Sequence, residues 1–169
     1  METRKQLRIE DYDYSRNGAY FITVCVKDRQ PILSEIILST VGASIASPPE
    51  VKVSWIGKIV ESAIEEIPNH YENVLLDRYV IMPDHIHLLL RIENENGRAM
   101  LAPTASTSVS EIVRQMKGYV TKQCGRAIWQ RSYYDHIIRN EQDYLEIWQY
   151  IEGNPSKWRK TGEEKTPSK

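Results

Sequence analysis

The chain has 169 residues, 41% of them hydrophobic and 27% charged, with a formal net charge of -1 at pH 7. That is enough chain for one domain with its own core, and a charge so near neutral excludes a protein that coats nucleic acid indiscriminately. Two cysteines, Cys25 and Cys124, are too few for a disulfide framework or a cysteine-based zinc site, and neither Met1–Arg8 nor any later stretch has the apolar run of a leader or a membrane span; the expectation is a reduced, cytoplasmic protein.

In chain order, Asn17-Gly18 signals a turn, and Ala19–Val26 is short, β-branched and aromatic, which predicts a first strand. Lys27–Pro31 turns the chain, and residues 32–50 read as an irregular insertion around Pro48-Pro49. Apolar positions from Trp55 to Ile67 recur at helical spacing until Pro68. Asn73–Met82 and His85–Ile92 predict two antiparallel strands, joined by Pro83-Asp84. Residues 93–108 read as a loop. Ser108 or Ser110 then caps a helix with an Ile112, Val113, Met116, Tyr119, Val120 stripe that Gly125 ends. His136–Arg139 reads as a short strand, and Asn140 caps a last helix that Gly153, Asn154 and Pro155 close. The tail, residues 161–169, is charged and reads as disordered. Strand, helix, strand, strand, helix, strand predicts an α+β, ferredoxin-like (RRM-like) antiparallel sheet with helices packed on one face, formed by residues 1–160.

Charge is unevenly spread. Glu111–Arg139 holds six Lys and Arg against two acids, and Asn140–Gly153 holds four acids and no Lys or Arg. The first is a candidate backbone-binding segment; the plainer reading is two mutually compensating helices.

The chemistry centres on His85-Ile86-His87. Alternate residues of a strand share a face, so the two imidazoles can hold one divalent ion. Taken alone the pair reads better as the solvated face of a half-buried sheet. Leu88, Leu89 and Leu90, however, give the strand apolar residues on both faces, which places the histidines at the end of a buried strand. Elsewhere Tyr150 and Asn154 stand at i and i+4, one turn apart on one helix face.

Met82-Pro83-Asp84-His85-Ile86-His87, preceded by Tyr12-Asp13-Tyr14-Ser15 and Tyr20-Phe21-Ile22-Thr23 and followed by Trp129–Asn140 and Tyr150-Ile151-Glu152-Gly153-Asn154-Pro155, resembles the REP-associated tyrosine transposases. These belong to the histidine-hydrophobic-histidine (HUH) superfamily of single-strand DNA endonucleases, and the resemblance runs over residues 3–158. It implies His85, His87 and Asn154 as ligands of Mg²⁺ or Mn²⁺ and Tyr150 as the nucleophile of a 5′-phosphotyrosine intermediate. It implies nicking and strand transfer at single-stranded DNA bearing the hairpins of palindromic repeats, by a monomer. Arg114, Lys117, Lys122 and Arg126 are then candidates for phosphate contacts, and Arg131, Tyr133 and Tyr134 for contacts beside the cut; Lys117 is the first choice. Asp84 departs from the asparagine frequent in the family, and residues 39–50 and 97–108 map onto no DNA contact.

Two other readings compete. The sheet could be a non-catalytic module that binds structured DNA or RNA. Alternatively the histidines, with Asp84 or His136, could activate water in a metal-dependent hydrolase.

Overall fold

In the computed structural model of the chain, the residues described are 13, 15–38, 40–41, 44–45, 48–94 and 107–161. Tyr12, Tyr14, most of the 97–108 stretch and the tail after Thr161 lie outside them. Four strands form the central antiparallel sheet: β1 (Gly18–Cys25), β6 (Val74–Ile81), β7 (His85–Ile92) and β8 (Tyr134–Ile138), in the order β6-β7-β1-β8. This is the α+β, ferredoxin-like connectivity expected from the element order. Cys25 pairs with His85, Thr23 with His87 and Phe21 with Leu89 across β1 and β7, so these six side chains share one face.

The opposite face carries the main core. Tyr20, Ile22, Val24, Ile86, Leu88 and Leu90 pack there against α1 (Trp55–Glu65) and α3 (Val109–Cys124). Ser54 caps α1 by accepting from the Gly57 N–H at 3.0 Å, and Ser108 caps α3 through the Glu111 N–H. Gly125 ends α3 at a φ of 66°, a left-handed conformation that glycine adopts without a Cβ penalty. A Gly125→Ala change should cost about 1 kcal/mol in urea denaturation with no change in slope.

Four expectations need correction. The helices do not all lie on one face: α4 (Glu141–Thr161) packs on the histidine face, where Ile151, Ile147 and Trp148 meet Phe21 and Leu89. Cover on both faces is why β7 tolerates an almost continuous apolar run. Nor does α4 close at Gly153–Pro155. It continues to Thr161, with Asn154 and Pro155 buried inside it. Proline removes one helical hydrogen bond, a cost of about 3 kcal/mol in isolation, which tertiary burial of this stretch outweighs.

Residues 32–50 are not an irregular insertion. β2 (Ser34–Ile37) and β5 (Glu50–Val53) form an antiparallel ribbon, and β3 (Thr40–Val41) and β4 (Ser44–Ile45) pair beyond it. The ribbon is rooted beside the histidines, since the Leu33 N–H donates to the Pro83 carbonyl at 2.9 Å and Ser34 Oγ to the Ile81 carbonyl at 2.8 Å. Pro68, expected to end α1, instead sits in the first turn of a short helix, α2 (Ile67–His70), where its missing N–H costs little.

Candidate active site

His85 and His87 open β7 and are 1% and 2% exposed, which excludes the solvated-face reading of the pair. Their Nε2 atoms stand 3.1 Å apart. Each Nδ1 is engaged on the far side, that of His85 at 2.6 Å from Asp84 Oδ1 and that of His87 at 2.8 Å from Thr23 Oγ1. A carboxylate only accepts, so His85 carries a hydrogen on Nδ1, and the neutral ring presents the Nε2 lone pair to the site. Two nitrogens at cis positions, each about 2.1 Å from one ion, lie about 3.0 to 3.4 Å apart. The pair therefore fits a divalent ion by spacing and by donor chemistry.

α4 closes the site from above. The Tyr150 ring meets His87 edge-on, with centroids 5.3 Å apart, and Phe21 at 5.8 Å. Two turns later the Trp158 ring lies 6.1 Å from that of His85. Asn154 falls one turn after Tyr150 and one before Trp158, and it is fully buried. Helical periodicity thus directs its amide at the sheet between the two imidazole contacts. The structure brings together His85, His87, Asn154 and Tyr150, taken from the middle and the C-terminal part of the sequence.

Three further residues join them that the sequence did not single out. Lys157 places its Nζ 5.0 Å from the centre of the Tyr150 ring. Its i+7 spacing from Tyr150 was the available signal, hidden by the expectation that the helix stops earlier. Arg29 holds Asp84, with Nε 2.8 Å from Oδ2, and Thr23 supports His87. Both act across strands, and no local pattern marks them.

The expected DNA contacts scatter. Tyr134 sits on β8 opposite Thr23, on the face of His87, and is exposed. Arg131 is exposed in the preceding loop, as are Lys122 and Arg126 around the end of α3. Arg114 forms a two-pronged pair with Glu111 on α3, across the sheet from the histidines. Hydrogen bonds from Arg114 and Gln115 hold the Glu111 carboxyl down to about 2. Tyr133 meets Ser110 at 3.1 Å between hydroxyls.

Lys117, the first choice for a phosphate contact, lies on the opposite face too. Its ammonium donates to the Gln130 and Arg131 carbonyls at 2.7 and 3.1 Å, and burial lowers its pKa. It braces the loop that runs beside the end of β1, where the Gln130 N–H reaches the Cys25 carbonyl at 2.9 Å.

The hydrolase ligands do not assemble. His136 pairs opposite Phe21, with β1 between it and β7, and its Nε2 is 2.9 Å from Asp143 Oδ2. Among the described residues no three His, Cys, Asp or Glu side chains form a group able to hold a metal.

Residues 15–154 match the family described as IS200-like transposases. The chain belongs to that family. It is therefore an enzyme that cuts and joins DNA, and the non-catalytic module gives way. A Haemophilus influenzae protein of unassigned function is 34% identical over 171 residues, spanning 92% of this chain and 89% of its own length. A second protein of that organism, provisionally named a REP-associated tyrosine transposase, is 28% identical over 86% of this chain and 74% of its own. The fold also matches the solved structure of a REP-associated tyrosine transposase bound to a REP hairpin, with a TM-score of 0.62 and 22% identity over 89% of this chain and 73% of that one. Among the described residues no helix is long and apolar enough to cross a membrane.

Proposed function

We propose that this transposase nicks single-stranded DNA beside a palindromic hairpin through Tyr150, and rejoins the strand from a 5′-phosphotyrosine intermediate. The reading rests above all on the Tyr150 ring standing edge-on to His87, 5.3 Å between centroids, within one chain. His85, His87 and Asn154 would hold the ion. Bound Mg²⁺ or Mn²⁺ supplies Lewis-acid polarisation of the scissile phosphate. Mixed imidazole and amide ligation favours Mn²⁺, since Mg²⁺ prefers oxygen and keeps its waters.

The Tyr150 phenol oxygen attacks phosphorus, the bond to the 3′ oxygen breaks, and the phenolic proton is released as the 3′ oxygen gains one. A free phenol ionises near pH 10, so developing charge on that oxygen needs help. Lys157 is placed to give it electrostatically, over the ring of the nucleophile. The phosphodiester survives as the tyrosine ester, so a second 3′-hydroxyl can reclaim the strand by the reverse reaction.

Two relatives support the hairpin as substrate, one by its provisional name and one by the REP hairpin in its solved structure. Of the expected contacts, Tyr134 and Arg131 are best placed to meet bases and phosphates beside the cut, with a ring for stacking and a guanidinium for the backbone. Lys122 and Arg126 remain candidates for the hairpin backbone. A single chain supplies Tyr150, both histidines and Asn154, which favours action as a monomer.

The test is adduct formation. Protein, Mn²⁺ and hairpin DNA labelled at its 3′ end should give a labelled protein band on a denaturing gel, with the modified tryptic peptide mapping to Tyr150. A modified Tyr133, Tyr134 or Tyr144, or a label retained from the 5′ side, would overturn the assignment.

A further inference from the structure

We infer that Arg29, acting through Asp84, is a positioning residue that locks His85 into the tautomer with Nε2 free to bind a metal; the role in metal binding rests on the reading above. The first observation is the backbone. Asp28 and Arg29 have φ of 55° and 53°, and they are the only non-glycine residues with positive φ among those described. L residues rarely adopt this conformation, and two in succession persist only where surrounding contacts over-determine them.

What holds them is the reach of the Arg29 side chain. Its Nε lies 2.8 Å from Asp84 Oδ2 and its Nη1 donates to Cys25 Sγ at 2.9 Å, so the guanidinium spans the ends of β1 and β7 where Cys25 pairs with His85. The Arg29 side chain is about one-third exposed. Its partner Asp84 is buried, so the guanidinium both compensates a carboxylate withdrawn from water and fixes the direction in which it points.

The second observation is how Asp84 is used. It is 5% exposed, and its two oxygens are divided: Oδ2 meets Arg29, and Oδ1 meets His85 Nδ1 at 2.6 Å. With Oδ2 fixed, the carboxylate cannot rotate away from the imidazole. A carboxylate offers no hydrogen, so Nδ1 donates to it, and in the neutral ring Nε2 is then the nitrogen with the lone pair. An asparagine amide has a donor as well as an acceptor. In this chain the Arg29 N–H would take the amide oxygen, which turns the amide NH₂ to Nδ1 and drives the ring hydrogen onto Nε2, the position a metal needs. His87 has no such lock, because the Thr23 hydroxyl at 2.8 Å can donate or accept. One imidazole is fixed and the other adapts.

The experiment reads the tautomer directly. The metal-free, full-length protein is labelled with ¹⁵N in its histidine rings, and long-range proton–nitrogen correlation spectra are recorded for wild type, Asp84→Asn and Arg29→Gln. Mn²⁺ binding is measured separately from the paramagnetic signal of the free ion. His85 should be the Nδ1–H tautomer in wild type and should move towards Nε2–H in both variants, with His70 and His136 as internal references. Mn²⁺ affinity should fall about tenfold or more. Unchanged His85 spectra with unchanged Mn²⁺ affinity in Arg29→Gln would overturn the inference, whatever Asp84→Asn shows. Variant spectra that shift as expected, together with a wild type that does not bind Mn²⁺, would keep the positioning role and sink the metal reading. Should Arg29→Gln not fold, Arg29→Lys takes its place: it keeps the positive charge but lacks the planar guanidinium that spans Asp84 Oδ2 and Cys25 Sγ, and it should show the same shift of the His85 tautomer.

Discussion

Replacing Tyr150 by phenylalanine should abolish the protein–DNA adduct and slow strand cleavage by about a thousandfold or more, because phenylalanine has no oxygen to attack phosphorus. Hairpin affinity should stay within about twofold of wild type, since the change removes one hydroxyl and leaves the charges of the site untouched. Folding should also survive. The ring keeps its edge contacts with His87 and Phe21, and loss of one hydroxyl costs at most about 1.5 kcal/mol. The combination is diagnostic: a misfolded variant would lose binding and chemistry together. Single-turnover cleavage measured alongside gel-shift affinity checks it. Cleavage surviving at near wild-type rate would move the nucleophile to water, even though Asp84 and His136 do not complete a hydrolase site.

Much of this site is legible in the sequence because its parts obey short-range rules. Alternation along a strand puts His85 and His87 together, and four-residue spacing does the same for Tyr150 and Asn154. The strand order follows from the sequence of elements and the handedness of the connection. The two-sided sheet was legible in part. Leu88, Leu89 and Leu90 in succession require cover on both faces, a requirement at odds with helices on one face only. What settles it is α4, whose contact residues Ile147, Trp148 and Ile151 also satisfy an ordinary one-sided helix pattern.

Other features depend on contacts that no local pattern encodes. Pro155 disfavours a helix, and it is the burial of Asn154 and Pro155, with Trp158 against His85, that carries α4 through it. That extension also brings Lys157 over Tyr150. The ribbon of β2 and β5 shows only partial burial, and a ladder of main-chain hydrogen bonds leaves little trace in side-chain composition. Lys117 shows what composition leaves out. Charge and helix position suggest a phosphate contact, and neither reveals that its ammonium also braces the carbonyls of the 130–131 loop.

The root of that ribbon leads to the largest stability effect we expect from a single methyl group. A Cβ built on Gly57 would lie 2.1 Å from the Leu33 carbonyl oxygen and 3.0 Å from Val53 Cγ1. The obstacle is main chain, so no rotamer change relieves it, and the first turn of α1 must retreat from the Leu33 segment that leads into β2. Alanine brings about 1 kcal/mol of helix propensity over glycine. Overpacking of this severity costs about 3 kcal/mol, so the clash wins by about 2 kcal/mol. For a chain of 169 residues that is a loss of about 4 to 8 °C in Tm.

The consequence does not stop at α1. Leu33 also accepts the Ser54 N–H at 2.9 Å and donates to the Pro83 carbonyl at 2.9 Å, and Pro83 precedes the Asp84-His85 pair. Gly57→Ala should therefore weaken Mn²⁺ binding as well as stability, without touching a ligand. Gly118→Ala is the control, since nothing lies within 4 Å of a Cβ on that exposed helical position and the change should stabilise by about 0.5 to 1 kcal/mol. Equal thermal stability of the two variants would refute the close approach of α1 to Leu33. A Gly57→Ala protein that is less stable yet binds Mn²⁺ as tightly as wild type would instead show that the ribbon root and the metal site are mechanically independent.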